Sequence, residues 1–301
     1  MKRLVLAVAV TAVTVAGVLV PRIGSGEEDE GSAVKQRTEL PRGGTSVLPE
    51  NRVVAFYGAP QAPQLGTLGI GGPKAAGRRL QRRARSFARR GSRPVLPAFE
   101  LISTIVQSAP GKDGEYRHRQ PAQVISRYLD AARRIHGLLL LDIQPGRADF
   151  PTEAKALEPW LRRPEVGIAL DPEWRMKSDE VPGEVIGQVR ASEVNQVIES
   201  VSRIVAAEHL PDKLMVIHQF TPEMISDRNS LRPRRGVDLV LDADGFGTPP
   251  DKRQKYRQLA PPAGGPFFRG FKLFYAEDTG LMSPRQVLRL DPGPVDFVVY
   301  E

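Results

Sequence analysis

The 301-residue chain contains no cysteine. This absence excludes disulfide bonds, thiolate metal sites, a cysteine nucleophile and membrane attachment through a lipid-modified N-terminal cysteine. Histidine is also scarce, with four residues in the chain, and no H-x-H pair closes the first apolar run as an amidohydrolase-type metal site requires. No G-x-G-x-x-G follows that run and no G-x-x-x-x-G-K-[ST] occurs, so the usual sequence support for a nucleotide-binding fold is missing.

The charge balance is basic, with a formal net charge of +8. Such a balance favours contact with anionic polymers or membrane surfaces. Eight arginines fall within residues 78–93, where sparse apolar positions indicate a helix whose arginine-rich outer face is solvated. Contact of this face with anionic lipid headgroups or wall polymer is the functional alternative. Because the segment has almost no aromatic side chains to stack bases, nucleic-acid binding is not expected.

The N-terminus has the pattern of an export segment. Lys2 and Arg3 precede an uncharged stretch over residues 4–20, and no clean A-x-A cleavage site follows. We therefore expect residues 1–22 to be a signal peptide or, preferably, an uncleaved membrane anchor that leaves the rest of the chain outside the cytoplasm. Residues 23–50 begin with an acidic run and contain few apolar residues, which indicates a flexible linker.

Eight short apolar runs recur after residue 50, which is typical of strands buried on both faces of a parallel sheet. They cover residues 53–57, 94–100, 137–142, 166–171, 213–218, 237–242, 270–275 and 295–300. Helix-period segments lie between them at 122–135, 152–162 and 192–208, with Ser192 as the expected cap of the last. Eight strand–helix units in about 250 residues predict one (β/α)8 barrel over residues 51–301, of the α/β class. A doubly wound sheet is the alternative.

Polar residues end nearly every predicted strand. In a barrel the C-terminal strand ends converge on one mouth, and residues two apart on a strand share a face. Asp142 with Gln144, Asp171 with Glu173, and Asp242 with Asp244 are such pairs. The predicted mouth also contains Tyr57, Glu100, Trp174, His218, Gln219, Phe246, Lys272, Tyr275 and Tyr300.

Several segments carry a resemblance to a known group of proteins. They are the runs at 56–58, 170–174, 193–195, 218–220, 244–247 and 270–275. With them, residues 53–301 resemble a glycoside-hydrolase-type (β/α)8 barrel in exported, actinobacterial-type bacterial proteins of unassigned function. The resemblance implies a fold and an extracytoplasmic setting rather than a substrate. The chain departs from the best-known barrel glycosidases, since it has no D-x-x-D-x-D-x-E motif and no Asn-Glu pair closing the fourth strand.

Paired carboxylates suit glycosidic hydrolysis, in which one acid protonates the leaving oxygen and the other acts as nucleophile or base. The sequence therefore predicts a hydrolase of cell-envelope or extracellular polysaccharide. Glu173 is its candidate acid, Asp242 or Asp244 its nucleophile or base, and Asp142 and Asp171 are supporting carboxylates. The remaining mouth residues are expected substrate contacts, and aromatic ones can stack on sugar rings. We expect a monomer without cofactor or metal.

Two alternatives remain open at this stage. One is a non-catalytic barrel that binds carbohydrate or anchors an envelope complex. The other is a divalent-metal-dependent hydrolase, in which His218 and the acids of the fourth and sixth strands hold a hard cation through oxygen ligands.

Overall fold

The computed structural model describes residues 37–301, and its centre is a closed barrel of eight parallel strands. The barrel closes because the first strand pairs in parallel with both the second and the last. In chain order the barrel strands are β1 (Arg52–Gly58), β2 (Val95–Val106), β4 (Leu138–Ile143), β5 (Val166–Leu170), β7 (Lys213–Gln219), β9 (Val237–Ala243), β10 (Phe268–Leu273) and β11 (Phe297–Tyr300). Each contains most of one predicted apolar run, so the predicted TIM-like α/β barrel is confirmed.

Three short strands lie outside the barrel. β3 (Arg117–Arg119) runs antiparallel to the end of β2, and β6 (Val189–Arg190) pairs with β8 (Ile225–Ser226) in a separate two-stranded sheet. All three lie on the C-terminal side of the barrel strands that precede them. They therefore enlarge the loops at the end of the barrel where the strand ends converge.

Seven α-helices are assigned within the described residues. They are α1 (Pro73–Ala88), α2 (Ala122–Arg134), α3 (Phe150–Ala156), α4 (Glu158–Leu161), α5 (Ala191–Ala207), α6 (Pro249–Leu259) and α7 (Pro284–Val287). α1 buries Leu80, Ala84 and Phe87 at helical spacing, and most of its arginines remain exposed or half-exposed. This is the expected first barrel helix.

Two helix predictions need correction. The helix predicted over 152–162 is two helices, because Pro159 lacks the N–H that a continuous helix requires and lies in the first turn of α4. Ser192 does not cap α5. Arg190 occupies the N-cap position and pairs with Ser226 of β8. No side chain forms a capping hydrogen bond at the start of this helix.

Residues 37–50 belong to the folded unit, although the sequence analysis assigns them to the linker. Leu40, Val47 and Leu48 are buried and join the cluster of side chains inside the barrel. The amide of Leu48 donates to Asp238 near the start of β9 over 2.9 Å. The chain thus covers the N-terminal end of the barrel. A few apolar side chains suffice for this, which the low apolar content of the segment concealed.

The predicted export segment and residues 23–36 of the predicted linker lie outside the described residues. Within residues 37–301, no helix combines the length and the apolar character that crossing a membrane requires.

Small and branched side chains fill the lower barrel interior. Ala55, Ala98, Ala169, Val216 and Val240 alternate with residues that point outward to the helices. The next inward positions toward the C-terminal strand ends are occupied by polar residues. An apolar plug therefore supports a polar layer at the mouth.

Candidate functional site

A buried layer of charged residues occupies the mouth of the barrel. We call it the mouth cluster, and it consists of Glu100 (β2), Asp142 (β4), Asp171 (after β5), His218 (β7), Asp242 (β9), Asp244 (after β9) and Lys272 (β10). The sequence prediction brought all seven to this end of the barrel. They converge because side chains two residues apart on a strand point to the same face. Each of the seven lies two residues beyond an inward-facing residue or just past the end of its strand.

His218 joins two carboxylates at the centre of the layer. Its Nε2 lies 2.8 Å from Oε1 of Glu100, and its Nδ1 lies 3.1 Å from Oδ2 of Asp242 and 3.5 Å from Oδ2 of Asp244. Burial alone would lower the pKa of His218, but the charge of Glu100 and the bonds to both aspartates outweigh it and raise that pKa well above its usual value. With a carboxylate at each nitrogen, the ring is held as an imidazolium.

Lys272 is the second buried cation. Its ammonium lies 3.1 Å from Oδ2 of Asp244, 2.8 Å from Oε2 of Glu301, and 4.0 Å from the centre of the Tyr57 ring. Burial opposes the charge of Lys272, yet Asp244 and Glu301 raise its pKa well above the ordinary value. The inward lysine therefore has the carboxylate partners that its burial requires.

Tyr57 lies between the two remaining aspartates. Its hydroxyl is 3.1 Å from Oδ2 of Asp142 and 3.4 Å from Oδ2 of Asp171, and it accepts a bond from the Gln144 amide over 3.1 Å. Burial raises the pKa of Asp142 to about 7 and that of Asp171 well above its usual range. One phenolic proton can satisfy only one of the two carboxyls, so this side of the cluster favours protonated aspartates.

Asp242 and Asp244 share a strand end but have different surroundings. Asp242 is fully buried, and a Cβ added to Gly270 would lie 2.3 Å from its Oδ1, so glycine leaves the room that this carboxyl occupies. Burial raises the pKa of Asp242 to about 6. Burial also acts on Asp244, but Lys272 and His218 dominate and hold its pKa well below the usual range. Asp244 is therefore the ionised member of the pair.

Glu173 stands apart from the bonded cluster. β5 ends at Leu170, and Pro172–Trp174 forms a short 3-10 turn that places Glu173 beside the mouth, half-buried. Within residues 37–301 its carboxyl takes part in no hydrogen bond or ion pair. Burial, followed by the charge of Asp244, raises the pKa of Glu173 to about 7. A carboxyl of this kind can hold a proton near neutral pH and remains free to donate it.

Other predicted mouth residues lie elsewhere. Gln219 follows His218 and points outward, where its amide donates to the carbonyl of Leu259 over 3.3 Å. Tyr300 also points outward and stacks on Tyr275 at 5.3 Å, and the Tyr275 hydroxyl accepts bonds from Arg83. The structure therefore does not bring these three to the mouth cluster.

Trp174 and Phe246 are at the rim. Trp174 is half-buried in the turn that carries Glu173, and Phe246, two residues after Asp244, is 65% exposed while its ring contacts Phe274 edge-on at 6.0 Å.

Glu301 is the site residue that sequence reasoning missed. It follows β11, and its side chain continues the inward series of Phe297 and Val299 to reach Lys272. The alternation of inward and outward side chains along β11 could have identified Glu301. The sequence prediction takes Tyr300 as the inward residue instead, which is one position out of phase.

Two groups in the cluster have the spacing of metal ligands. Donor atoms of Glu100, Asp142 and His218, and of His218, Asp242 and Asp244, lie within 4.8 Å of one another. One oxygen on each of Glu100, Asp142, Asp171 and Asp242 is buried without a hydrogen-bond partner in the described part of the chain. Hard cations take oxygen ligands, but both nitrogens of His218 face carboxylates and are unavailable as neutral donors in this arrangement.

The sequence matches no protein-family model and has no significant match among curated proteins.

Proposed function

We propose that the protein is a glycosidase-type hydrolase that cleaves a cell-envelope or extracellular polysaccharide with Glu173 as general acid and Asp244 as its ionised partner. One observation supports this assignment above all: two neighbouring acids at one barrel mouth have opposite environments. Environments that push two carboxyl pKa values apart are how enzymes divide acid and base roles. The export pattern of the N-terminal sequence supports the extracytoplasmic setting.

Glu173 is suited to the acid role by its free carboxyl. The other acids of the mouth are bonded to Tyr57, His218 or Lys272, whereas Glu173 has no such partner within the described residues and has a pKa of about 7. In the reaction it gives its proton to the glycosidic oxygen as the bond from that oxygen to the anomeric carbon breaks.

Asp244 is suited to the second role because two cations keep it ionised. Lys272 and His218 lie 3.1 and 3.5 Å from the same oxygen, Oδ2. As a base it would take a proton from the attacking water, and as a nucleophile it would bond to the anomeric carbon. Asp242 is less suited, because burial raises its pKa to about 6, so that it is less fully ionised than Asp244.

Aromatic side chains at the rim add support for a sugar substrate. Phe246 is exposed two residues beyond Asp244, and Trp174 follows Glu173 directly. Large apolar rings near catalytic carboxylates offer faces on which sugar rings can stack. Tyr57 is buried, with Lys272 over its ring and its hydroxyl between Asp142 and Asp171, so its part is to position charges in the cluster.

The test is release of reducing ends from a panel of envelope polysaccharides by the intact protein, by Glu173→Gln and by Asp244→Asn. Both variants are expected to lose at least about a hundredfold in rate. Glu184→Gln, an exposed change in the same connection, is the matched control and keeps full activity. Full activity of Glu173→Gln on the substrate would remove the acid assignment.

A second function, metal-dependent hydrolysis, is favoured by the close spacing of the mouth carboxylates, four of which have a buried oxygen without a hydrogen-bond partner within residues 37–301. Treatment with EDTA separates the two. The proposed two-carboxylate reaction is unaffected by chelation, whereas loss of activity that added Mg²⁺, Mn²⁺ or Ca²⁺ restores would favour the metal.

A further inference from the structure

A cavity of about 710 Å³ lies among the loops at the C-terminal end of the barrel, lined by residues of the connections that follow β2, β4, β5 and β7 and by the start of α5. Its size is within the range of about 300–1,000 Å³ that ligand sites have. Part of its wall is the loop that carries Glu173, since Arg175, Met176 and Lys177 come directly after the turn.

The cavity lining is cationic. Four cationic side chains face two acidic ones, Glu115 and Glu193. Glu193 is already neutralised, because its Oε1 accepts from Arg175 over 3.0 Å and from the amide of Phe150 over 3.0 Å. The lining therefore has more positively charged side chains than carboxylates to balance them.

The four cationic side chains differ in how many hydrogen bonds and ion pairs they form within the protein. Arg175 is held by Glu193 and by the carbonyl of Met176, and Lys177 pairs with Glu180 over 3.0 Å. Arg147 bonds to the carbonyl of Glu180 and lies over the Tyr116 ring at 4.4 Å. Arg190 is exposed and has no hydrogen bond or ion pair of its side chain within residues 37–301. An uncommitted guanidinium is thus available to a ligand.

The cavity is tied to Glu173 through the backbone. The backbone amide of Gly187 donates to the carbonyl of Glu173 over 2.7 Å. The backbone amide of Gln188 donates to the carbonyl of Arg175 over 3.2 Å. A Cβ at Gly187 would lie 2.6 Å from both carbonyls, so the two segments pack as closely as glycine allows. The cavity wall and the candidate acid are therefore fixed relative to each other.

We infer that this cavity is a subsite for an acidic sugar unit, so that the substrate class of the enzyme is an anionic glycan; this rests on the proposed function. Guanidinium groups match the planar carboxylate of a uronic acid and the oxygens of a phosphate ester equally well. The shared chemistry is an oxyanion on a sugar ring, with Arg190 as its main partner and Lys177 as a second cation at the cavity edge.

The experiment measures binding, by calorimetry, of three probes to the full-length protein: an oligogalacturonate, a phosphorylated oligomannose and a neutral oligogalactoside of the same length as the first. Measurements use about 0.15 M salt, at which attraction beyond about 8 Å is screened. The Glu173→Gln variant serves as the background, so that binding is read without turnover.

At least one anionic probe is expected to bind about tenfold or more tightly than the neutral one. Arg190→Gln and Lys177→Gln reduce this binding, Arg190→Gln by about tenfold or more. Arg257→Gln, which removes the same charge from the exposed face of α6, leaves it unchanged. Which anionic probe binds distinguishes a carboxylated from a phosphorylated glycan.

Equal binding of neutral and anionic probes, or an equal loss in Arg257→Gln, would overturn the subsite. Failure of the proposed function has a different outcome, in which the anionic probe binds through Arg190 and no glycan is hydrolysed even by the protein with Glu173 intact.

Discussion

Lys272 places its ammonium 3.1 Å from Oδ2 of Asp244, and both side chains are buried at the ends of neighbouring strands. A buried charge pair is strongly coupled, because either partner alone would be left uncompensated in a medium of low polarity. The ionised state of Asp244, and with it the proposed chemistry, therefore depends on a residue that need not touch the substrate.

Lys272→Met is expected to destabilise the protein and to remove activity together. Loss of one partner of a buried pair typically costs about 3–5 kcal/mol; here Glu301 loses its cation and Asp244 keeps only His218. Urea unfolding measures the change, with the exposed Lys74→Met as control. The double variant Lys272→Met/Asp244→Asn should recover part of the stability but no activity. An unchanged unfolding midpoint in Lys272→Met would contradict the ion pair.

Activity should fall as pH rises through about 7. Glu173 is protonated below its raised pKa and loses the proton that the leaving oxygen needs above it. Asp244 stays ionised far into the acid range because Lys272 and His218 depress its pKa. The pH profile of kcat/KM is the measurement. A profile that is flat from pH 6 to 8 would rule out the titration of Glu173 as the control of rate.

Asp142→Asn is expected to change how stability depends on pH. The folded protein retains the proton of Asp142 up to about pH 7, whereas the unfolded chain releases it near its ordinary pKa of about 3.9. Titration of Asp142 therefore adds a fall in the free energy of unfolding of the native protein as pH rises between about 4 and 7.

Asparagine resembles the protonated aspartate and does not titrate, so this fall should be smaller in Asp142→Asn. Thermal unfolding at pH 5 and pH 8 tests it, with the exposed Asp130→Asn as the matched change. Identical pH slopes in Asp142→Asn and the native protein would show that Asp142 is ionised in both states.

Gly187→Ala should impair catalysis by moving the turn that carries Glu173. The added Cβ meets the carbonyls of Glu173 and Arg175 at 2.6 Å, so backbone must shift. Displacement of a catalytic group by about 1 Å can cost about a hundredfold in rate. Gly72→Ala is the control, since nothing lies within 4 Å of its added Cβ. If both variants retain native rates, the close contact has no part in positioning Glu173.

The sequence was sufficient for the barrel and for most of its mouth. The apolar runs and their acidic ends predicted strands that the structure contains, and Asp142, His218 and Lys272 lie at inward positions of those strands. The apolar character of the runs does not show which of two neighbouring residues points into the barrel. A barrel strand is buried on both faces, so Val298 and Val299 are equally apolar although one points outward and the other inward.

The ambiguity explains why Gln219 and Tyr300 were placed at the mouth and why Glu301 was missed. Glu173 lies beside the mouth as predicted, but the backbone geometry that places it there differs from the prediction. Its pairing with Asp171 assumed continued strand geometry, but Pro172 begins a 3-10 turn. The basic cavity was not foreseen, because its lining comes from loops whose positions no periodicity encodes.

The most direct test of the central claim is the titration of the Glu173 carboxyl itself. Carboxyl-carbon NMR of protein labelled at glutamate side chains follows it, and the signal lost in Glu173→Gln identifies it. The expected midpoint lies near pH 7, raised by burial and by the charge of Asp244. A midpoint near the ordinary glutamate value of about 4.3 would contradict it, since Glu173 would then be ionised at neutral pH and unable to act as the acid.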